Sequence, residues 1–154
     1  VMTTSGGGLF GNFGQTNYAA AKMGMIGLMN VLNLEGAKYN IKTNAIAPIA
    51  ASRLTEGIIP PQFFDKLKPD FVSPLVLYLC SEACQDAGVI INAAIGYYSR
   101  TQILTGPGVI LSDGVRVPTP EEIQDNWDKI MSLEKVKYLS QLPEIFGEFS
   151  SLLQ

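Results

Sequence analysis

The hydrophobic positions of the chain fall into short continuous runs and longer stretches with helical spacing. Three runs have the length of a strand, at residues 1–4, 41–47 and 89–95, and the last of them is largely apolar. The first is predicted to be the end of a buried strand. Pro48 ends the second run, because proline offers no amide to the hydrogen-bond ladder.

Two helical stretches separate these runs. The first is predicted to begin with Thr16 or Asn17 as its N-cap and to end near Tyr39. It mixes small residues with large apolar ones, so we expect it to pack on a sheet and on a second neighbour. The second stretch, residues 70–83, repeats its apolar positions at helical spacing. The glycine-rich residues 5–14 are predicted to form a loop.

Strand, helix, strand, helix, strand is an α/β order, for which a parallel sheet is the economical solution. After residue 96 the pattern becomes a polar and aromatic loop. A helix is then predicted from Thr119, its N-cap, with Pro120 in the first helical position, and a weaker helical tail follows from Leu139. We therefore predict an α/β unit over residues 1–112 and a helical C-terminal extension over residues 113–154.

Composition narrows the functional classes. The 154 residues include 11 basic and 14 acidic side chains, a net charge of −3, and 47% are hydrophobic. This fits a packed domain and argues against nucleic-acid binding, which needs clustered Lys and Arg. The longest apolar stretch, residues 23–34, is too short for the roughly 20 residues that cross a bilayer, so we expect no membrane partner.

The chain contains no histidine, which excludes Ser-His-Asp and Cys-His catalysis and every metal site that uses histidine. Cys80 and Cys84 cannot complete a tetrahedral zinc site by themselves; we expect both thiols to be buried and reduced, which suggests a reducing compartment. Four acids of the C-terminal helix are predicted to form a solvated face rather than a metal site: Glu121, Glu122, Asp125 and Asp128.

Residues 6–11 formally match the spacing G-x-G-x-x-G of dinucleotide-binding loops. In those loops the last glycine stands at the start of a helix, and an acid about 20 residues further on holds the ribose. Here the predicted helix begins about five residues late, and Asn30 and Val31 stand where the acid is needed. We therefore reject this interpretation.

Ser5, Tyr18 and Lys22 form the candidate catalytic group. Tyr18 and Lys22 are four residues apart, so both side chains leave the same face of the predicted helix. A phenol is a poor acid or base at neutral pH, but a nearby ammonium favours its ionised form. Ser5, at the end of the first strand, could donate to the same substrate oxygen. Taken alone, the Tyr-x-x-x-Lys pattern is more often a surface pair that stabilises a helix.

The order of several motifs changes that interpretation. A Thr-Thr-Ser strand end, a glycine-rich loop, N-Y-A-A-A-K at residues 17–22 and the strand that runs into Pro48 resemble the catalytic half of the short-chain dehydrogenase/reductase superfamily. G-N-F-G-Q-T-N-Y at residues 11–18, L-E-G at 34–36 and I-A-P at 46–48 are most similar to the (3R)-hydroxyacyl-CoA dehydrogenase domains of type 2 peroxisomal multifunctional enzymes. The resemblance implies the C-terminal half of a Rossmann-like parallel sheet with packed helices.

The resemblance also implies roles for individual residues. Tyr18 is expected to exchange a proton with the substrate oxygen, Lys22 to favour the ionised phenol and hold the nicotinamide ribose, and Ser5 to orient the substrate. The cofactor, NAD or NADP, is expected to contact Tyr18, Lys22, Pro48, Ile49, Ala50, Ala51 and Ser52. Most members of the superfamily have glycine where this chain has Ile49.

The implied reaction is hydride transfer between the nicotinamide cofactor and a 3-hydroxyacyl or 3-oxoacyl thioester. The family's nucleotide-binding loop precedes the strand that here begins at Val1, so we expect the isolated 154-residue chain to be inactive. Alternatives are a 3-oxoacyl-carrier-protein-type reductase and a non-catalytic dimerisation module. A homodimer is expected through the helix at residues 16–38, in a cytoplasmic protein or, in a eukaryote, a peroxisomal one.

Overall fold

Four strands and six α-helices form the part of the chain that the computed structural model describes, residues 1–53, 55–57 and 59–153. The strands are β1 (Met2–Thr3), β2 (Ala45–Pro48), β3 (Ile90–Ala94) and β4 (Tyr97–Thr101). The α-helices are α1 (Gly6–Phe10), α2 (Thr16–Gly36), α3 (Pro61–Phe64), α4 (Ser73–Leu79), α5 (Pro120–Asp125) and α6 (Trp127–Ile130). The 3-10 helices are Ala37–Tyr39, Pro69–Phe71 and Leu142–Leu153.

The strands form one sheet in the order β1-β2-β3-β4. The first three are parallel, with Met2 opposite Ala45 and Ala45 opposite Ile90, whereas β4 is antiparallel to β3. The predicted α/β fold with a parallel sheet and packed helices is therefore confirmed. Strand β4 is a difference from the sequence prediction, which placed a loop there. It follows β3 through a two-residue turn in which Ile95 and Gly96 both have positive φ, 43° and 83°.

One face of helix α2 packs against the sheet. Ile26 and Met29 of the helix are 2% and 1% exposed and contact Ala45 of β2 and Ile90 of β3. The small side chain of Ala45 allows this close approach of helix and sheet. The helix crosses over the sheet between the parallel strands β1 and β2, as in other βαβ units.

The opposite face of α2 is apolar and exposed. Leu28, Val31 and Leu34 have about half of their surface accessible. A Cβ added at Gly24 or Gly27 would meet no heavy atom within 4 Å among the described residues. Within the described part of the chain, α1 packs against the N-terminal part of α2, but no neighbour covers Gly24 and Gly27.

Two asparagines fasten the N-terminal end of β2 through main-chain bonds. Asn33 of α2 donates from Nδ2 to the Thr43 carbonyl at 2.9 Å, and its Oδ1 accepts from the Thr43 amide at 2.6 Å. Asn44 donates to the Asp86 carbonyl and accepts from the Val89 amide. Strand β2 begins at Ala45, later than predicted, because the amide of residue 43 is bound by a side chain and not by a neighbouring strand.

Several predicted helix boundaries are wrong. Helix α2 has Gln15 as its N-cap, with no side-chain capping bond, and Thr16 is already helical. The predicted loop over residues 5–14 contains the short helix α1. The helix predicted at 70–83 is a 3-10 turn followed by α4, which ends at its C-cap Cys80. Cys84 is buried as expected, but Cys80 is exposed because it stands at this helix end.

Residues 1–101 and 102–154 form two compact units. In the second unit, α5 begins with the predicted Thr119 cap and Pro120, and Glu122 completes a capping box. Asn126 departs from helical geometry and separates α5 from α6. The predicted tail is a 3-10 helix with a kink at Phe149. The division at residue 112 stays a prediction.

No helix in the described residues is long and apolar enough to span a membrane.

Candidate active site

Ser5 stands where strand β1 passes into helix α1. Its backbone is extended, and its Oγ accepts a hydrogen bond from the Gly7 amide at 3.1 Å, so it is the N-cap of that helix. The cap turns the chain sharply after β1. It therefore holds the serine hydroxyl at the carboxyl end of the parallel strands, where α/β folds place their ligands.

Tyr18 and Lys22 leave the same face of α2, one turn apart, as their spacing predicts. The Lys22 ammonium lies 5.7 Å from the centroid of the Tyr18 ring, within cation–π range. It also donates to the Thr3 carbonyl at 3.0 Å. This bond draws the lysine back to the end of β1, whereas Tyr18 remains 41% exposed and open to a ligand.

Gly7 brings Ser5 and Tyr18 together. A Cβ added to Gly7 would lie 3.6 Å from Ser5 Oγ and 3.6 Å from Tyr18 Cε1. The serine hydroxyl and the tyrosine ring are thus neighbours across the glycine, with the Gln15 side-chain oxygen beside them. The three residues that the sequence analysis selected therefore meet at one place.

A cavity of about 620 Å³ opens over this group. Ser5 and Tyr18 line one wall, and Pro48, Ile49, Ala50 and Ser52 line the other. Of the residues expected at the cofactor site, Ala51 and Lys22 are not part of the lining. Lys22 lies behind the tyrosine, and the Ala51 amide donates to the Leu67 carbonyl at 2.6 Å.

The loop after β2 is held by hydrogen bonds. The Ile49 amide donates to the Ala93 carbonyl at 2.9 Å, which continues the pairing of β2 with β3 past the strand end. Ile49 does not have a positive φ, so its backbone conformation does not require the glycine usual in the family. Thr55 Oγ1 accepts from the Ser52 amide at 2.7 Å and donates to the Ser52 or Ala50 carbonyl.

The glycine-rich segment has a packing role. A Cβ at Gly8 would stand 2.7 Å from Lys22 Cβ and 3.2 Å from the Lys22 carbonyl carbon, so only glycine lets α1 approach α2 at this point. Residues 6–10 are helical and packed in this way, and they do not form an open turn that could hold a pyrophosphate. This geometry supports rejection of the dinucleotide-loop interpretation.

Sequence reasoning missed several residues that line the cavity. Gln15 has its Oε1 2.9 Å from the position of a Gly7 Cβ, beside Ser5 and Tyr18. The spacing Ser52-x-x-Thr55 is a local side-chain-to-backbone pattern that could have identified Thr55. The other missed lining residues are Gly6, Gly7, Phe10, Gly11, Asn12 and Ile59.

The most strongly shifted carboxyl lies in the C-terminal unit. The Arg116 guanidinium, which binds both oxygens of Glu122, and the Thr119 amide lower the pKa of the Glu122 carboxyl to about 2. The pair is exposed and caps helix α5, so it is structural. Among the described residues, no group of three or more Asp, Glu, Cys or His side chains could hold a metal ion.

Comparison with known proteins gives consistent matches. The family model described as short chain dehydrogenase matches residues 1–56. The chain is 43% identical over its whole length to the peroxisomal multifunctional enzyme type 2 of Drosophila melanogaster, and 40% identical over 99% of its length to the peroxisomal hydratase-dehydrogenase-epimerase of Saccharomyces cerevisiae. The chain spans 26% and 17% of these two relatives.

The solved structure of the full-length Drosophila melanogaster enzyme shares the fold. It aligns with a TM-score of 0.86 at 40% identity, over 99% of this chain and 28% of that one. The fold that holds the candidate site therefore has a counterpart in a solved structure.

Proposed function

From the premise that this chain belongs to the short-chain dehydrogenase/reductase family, we propose that it is the catalytic half of an oxidoreductase acting on 3-hydroxyacyl or 3-oxoacyl thioesters. The family assignment and the enzyme class are confirmed by the matches in sequence and in structure. The substrate, the roles of the residues and the inactivity of the isolated chain belong to the proposal.

One observation carries the mechanism: Ser5 Oγ and the Tyr18 ring lie side by side across Gly7, with the Lys22 ammonium behind the ring. Two hydroxyls at one end of a cavity can bind a single substrate oxygen, and one of them can exchange a proton with it. No histidine is needed for this arrangement.

In the proposed oxidation, Ser5 holds the 3-hydroxyl group of the substrate and Tyr18 Oη accepts its proton. In the reverse direction, Tyr18 Oη donates a proton to the carbonyl oxygen as it gains charge. The nicotinamide group, when bound, would take up the hydride from C3 of the substrate or supply it to that carbon. Lys22 places its ammonium against the Tyr18 ring, and its bond to the Thr3 carbonyl fixes the ammonium in place.

The described residues fit the nicotinamide end of such a cofactor. The cavity combines side-chain hydroxyls on one wall with the main chain of residues 48–50 on the other, which suits a flat ring that carries a carboxamide. The packed helix at residues 6–10 does not suit the pyrophosphate. We therefore assign nicotinamide binding to this segment and pyrophosphate binding to another part of the enzyme, and leave NAD and NADP as alternatives.

The thioester assignment rests on the motifs at residues 11–18, 34–36 and 46–48, which resemble (3R)-hydroxyacyl-CoA dehydrogenase domains, and the two relatives are compatible with it. Both are multifunctional enzymes whose names place them in peroxisomes, and one name includes a dehydrogenase. Phe10, Ile49 and Ile59 give the cavity apolar surface beside the two hydroxyls, which is compatible with an acyl chain. A reductase that acts on acyl groups bound to a carrier protein is the alternative, and substrate profiling with CoA and carrier thioesters separates the two.

The test is a pair of tyrosine variants in the full natural polypeptide that carries this chain. Tyr18→Phe should abolish turnover of (3R)-hydroxyacyl-CoA with NAD or NADP. Tyr39→Phe is the matched control, because Tyr39 also has a lysine ammonium over its ring, Lys38 at 4.8 Å, but does not line the cavity. Full activity of Tyr18→Phe would refute the mechanism.

A second experiment concerns the 154 residues alone. Purified in isolation, they should show no turnover and only weak binding of NADH, because the described residues provide no pyrophosphate site. Micromolar affinity in a fluorescence titration would contradict this part of the proposal.

The exposed apolar face of α2 favours a second candidate function, association into a homodimer through residues 16–38. Leu28, Val31 and Leu34 would be buried in such an interface. Sedimentation velocity should show a dimer that Val31→Glu dissociates. A monomer at all concentrations would eliminate this candidate and leave the enzymatic proposal intact.

A further inference from the structure

Thr4 is a fully buried polar residue in the midst of the candidate site, yet it does not line the cavity. It is 1% exposed, and its amide donates to the Ile46 carbonyl at 2.9 Å, so its backbone belongs to the sheet. Its side chain leaves the sheet: Oγ1 donates to the Lys22 carbonyl at 2.7 Å. Thr4 therefore joins the end of β1, strand β2 and helix α2.

Lys22 is bound to β1 at both of its ends. Its carbonyl accepts from Thr4 Oγ1, and its ammonium donates to the Thr3 carbonyl. Two consecutive residues of the strand end thus hold the backbone and the side-chain tip of one helical residue. Bonds at two separated points restrain rotation of α2 about its axis as well as sliding along it.

This restraint sets the geometry of the site. Tyr18 precedes Lys22 by one helical turn, and Ser5 follows Thr4 in the chain. A shift of the helix relative to the strand end would change the separation of the Tyr18 and Ser5 hydroxyls directly. Misplacement of a reacting group by about 1 Å can cost about 100-fold in rate.

We infer that Thr4 is a positioning residue, whose hydroxyl fixes Lys22 and thereby Tyr18 relative to Ser5. The inference rests on the proposed function and adds to it a residue that touches neither substrate nor cofactor. The competing explanation is that Thr4 is an ordinary core residue, whose hydroxyl binds the nearest carbonyl and affects only the stability of the fold.

In the full natural polypeptide, two comparisons at position 4 isolate the effect of the hydroxyl: threonine against valine, and serine against alanine. Thr4→Val retains the volume and removes the donor. Thr4→Ser and Thr4→Ala differ from each other only in the hydroxyl, so they provide the same comparison if the valine variant does not fold. Asn33→Ala is the matched control, because Asn33 also ties α2 to main-chain atoms, those of Thr43 just before β2, through partly buried bonds three turns from Lys22.

Well below the unfolding temperature, kcat should fall about 10- to 100-fold in Thr4→Val and in Thr4→Ala, with KM little changed. Thr4→Ser should retain kcat close to that of the parent. The split between kcat and KM is the readout that a merely structural role would not move. Asn33→Ala should lose stability and retain kcat.

Unchanged kcat in Thr4→Val and Thr4→Ala would overturn the inference. So would a loss of kcat that follows melting temperature equally in the Thr4 and Asn33 variants. Tyr18→Phe separates failure of the positioning role from failure of the proposed function. If it abolishes turnover and removal of the Thr4 hydroxyl does not lower kcat, only the positioning role fails. If Tyr18→Phe remains active, the proposed function fails and the positioning role with it.

Discussion

Replacement of Gly8 by alanine provides a direct test of the packing between helices α1 and α2. The new Cβ would lie 2.7 Å from Lys22 Cβ, and 3.2 Å from the Lys22 carbonyl carbon and the Met23 amide nitrogen. Two of these three neighbours are backbone atoms of a long helix, which cannot move as a side-chain tip can. Carbon atoms in contact prefer about 3.5–4.0 Å, so the two helices must separate by roughly 1 Å at this point.

The magnitude follows from two opposing effects. Overpacking of this kind costs about 1–3 kcal/mol. Alanine in place of glycine within a helix offsets up to about 1 kcal/mol of this, mainly by lowering the entropy of the unfolded chain. We therefore expect Gly8→Ala to lower the free energy of unfolding by about 1–2 kcal/mol.

Gly6→Ala is the control within the same helix. A Cβ at Gly6 meets no atom within 4 Å, so this variant should be neutral or stabilised by up to about 1 kcal/mol. The assay is urea unfolding of residues 1–154, monitored by far-ultraviolet circular dichroism. The two variants are compared with a common slope of unfolding free energy against urea concentration. Equal stability of the two variants would refute the view that glycine is required for contact with Lys22.

Three further predictions concern other parts of the chain. Because the pKa of Glu122 is lowered from 4.5 to about 2, chiefly by Arg116, its contribution to stability should be complete above pH 4.5 and be lost as the pH falls through about 2. An NMR titration of the Glu122 carboxyl should show this midpoint and Arg116→Gln should raise it; a midpoint near 4.5 in the parent would contradict the assignment. Ile95→Asn should stabilise the hairpin by about 1 kcal/mol in urea unfolding, because a β-branched residue is strained at a φ of 43°; a loss of stability would count against strain at this turn. A thiol reagent should modify Cys80 rapidly in the native protein and Cys84 only in denaturant; two rapid reactions would show that Cys84 is accessible.

The sheet and the main helix could be predicted from the sequence because their patterns follow directly from burial. The apolar runs became the parallel strands β1, β2 and β3, and Pro48 is the last residue of β2. The Tyr18–Lys22 pair could be predicted for the same kind of reason, since residues four apart on a helix must share a face. The family was identified from the order of motifs, which propensities alone do not provide.

The missed elements depend on single local contacts. Helix α1 consists largely of glycine, which has no hydrophobic period, and it forms where the Ser5 hydroxyl caps it. Strand β4 follows a two-residue turn that contains Ile95 instead of the usual asparagine, so the sequence has no turn pattern that would predict the hairpin. The place of Gln15 in the cavity lining depends on loop geometry that only the folded chain shows.

The two bonds that Asn33 makes to the main chain of residue 43 have an evolutionary consequence. The asparagine binds atoms that every residue except proline possesses, so substitutions at position 43 leave the bonds intact as long as the new side chain fits its buried space. At position 33 only a side chain with both an amide donor and a carbonyl acceptor at this reach can serve. Over generations, substitutions should therefore be tolerated at position 43, just before the strand, and resisted at position 33 of the helix.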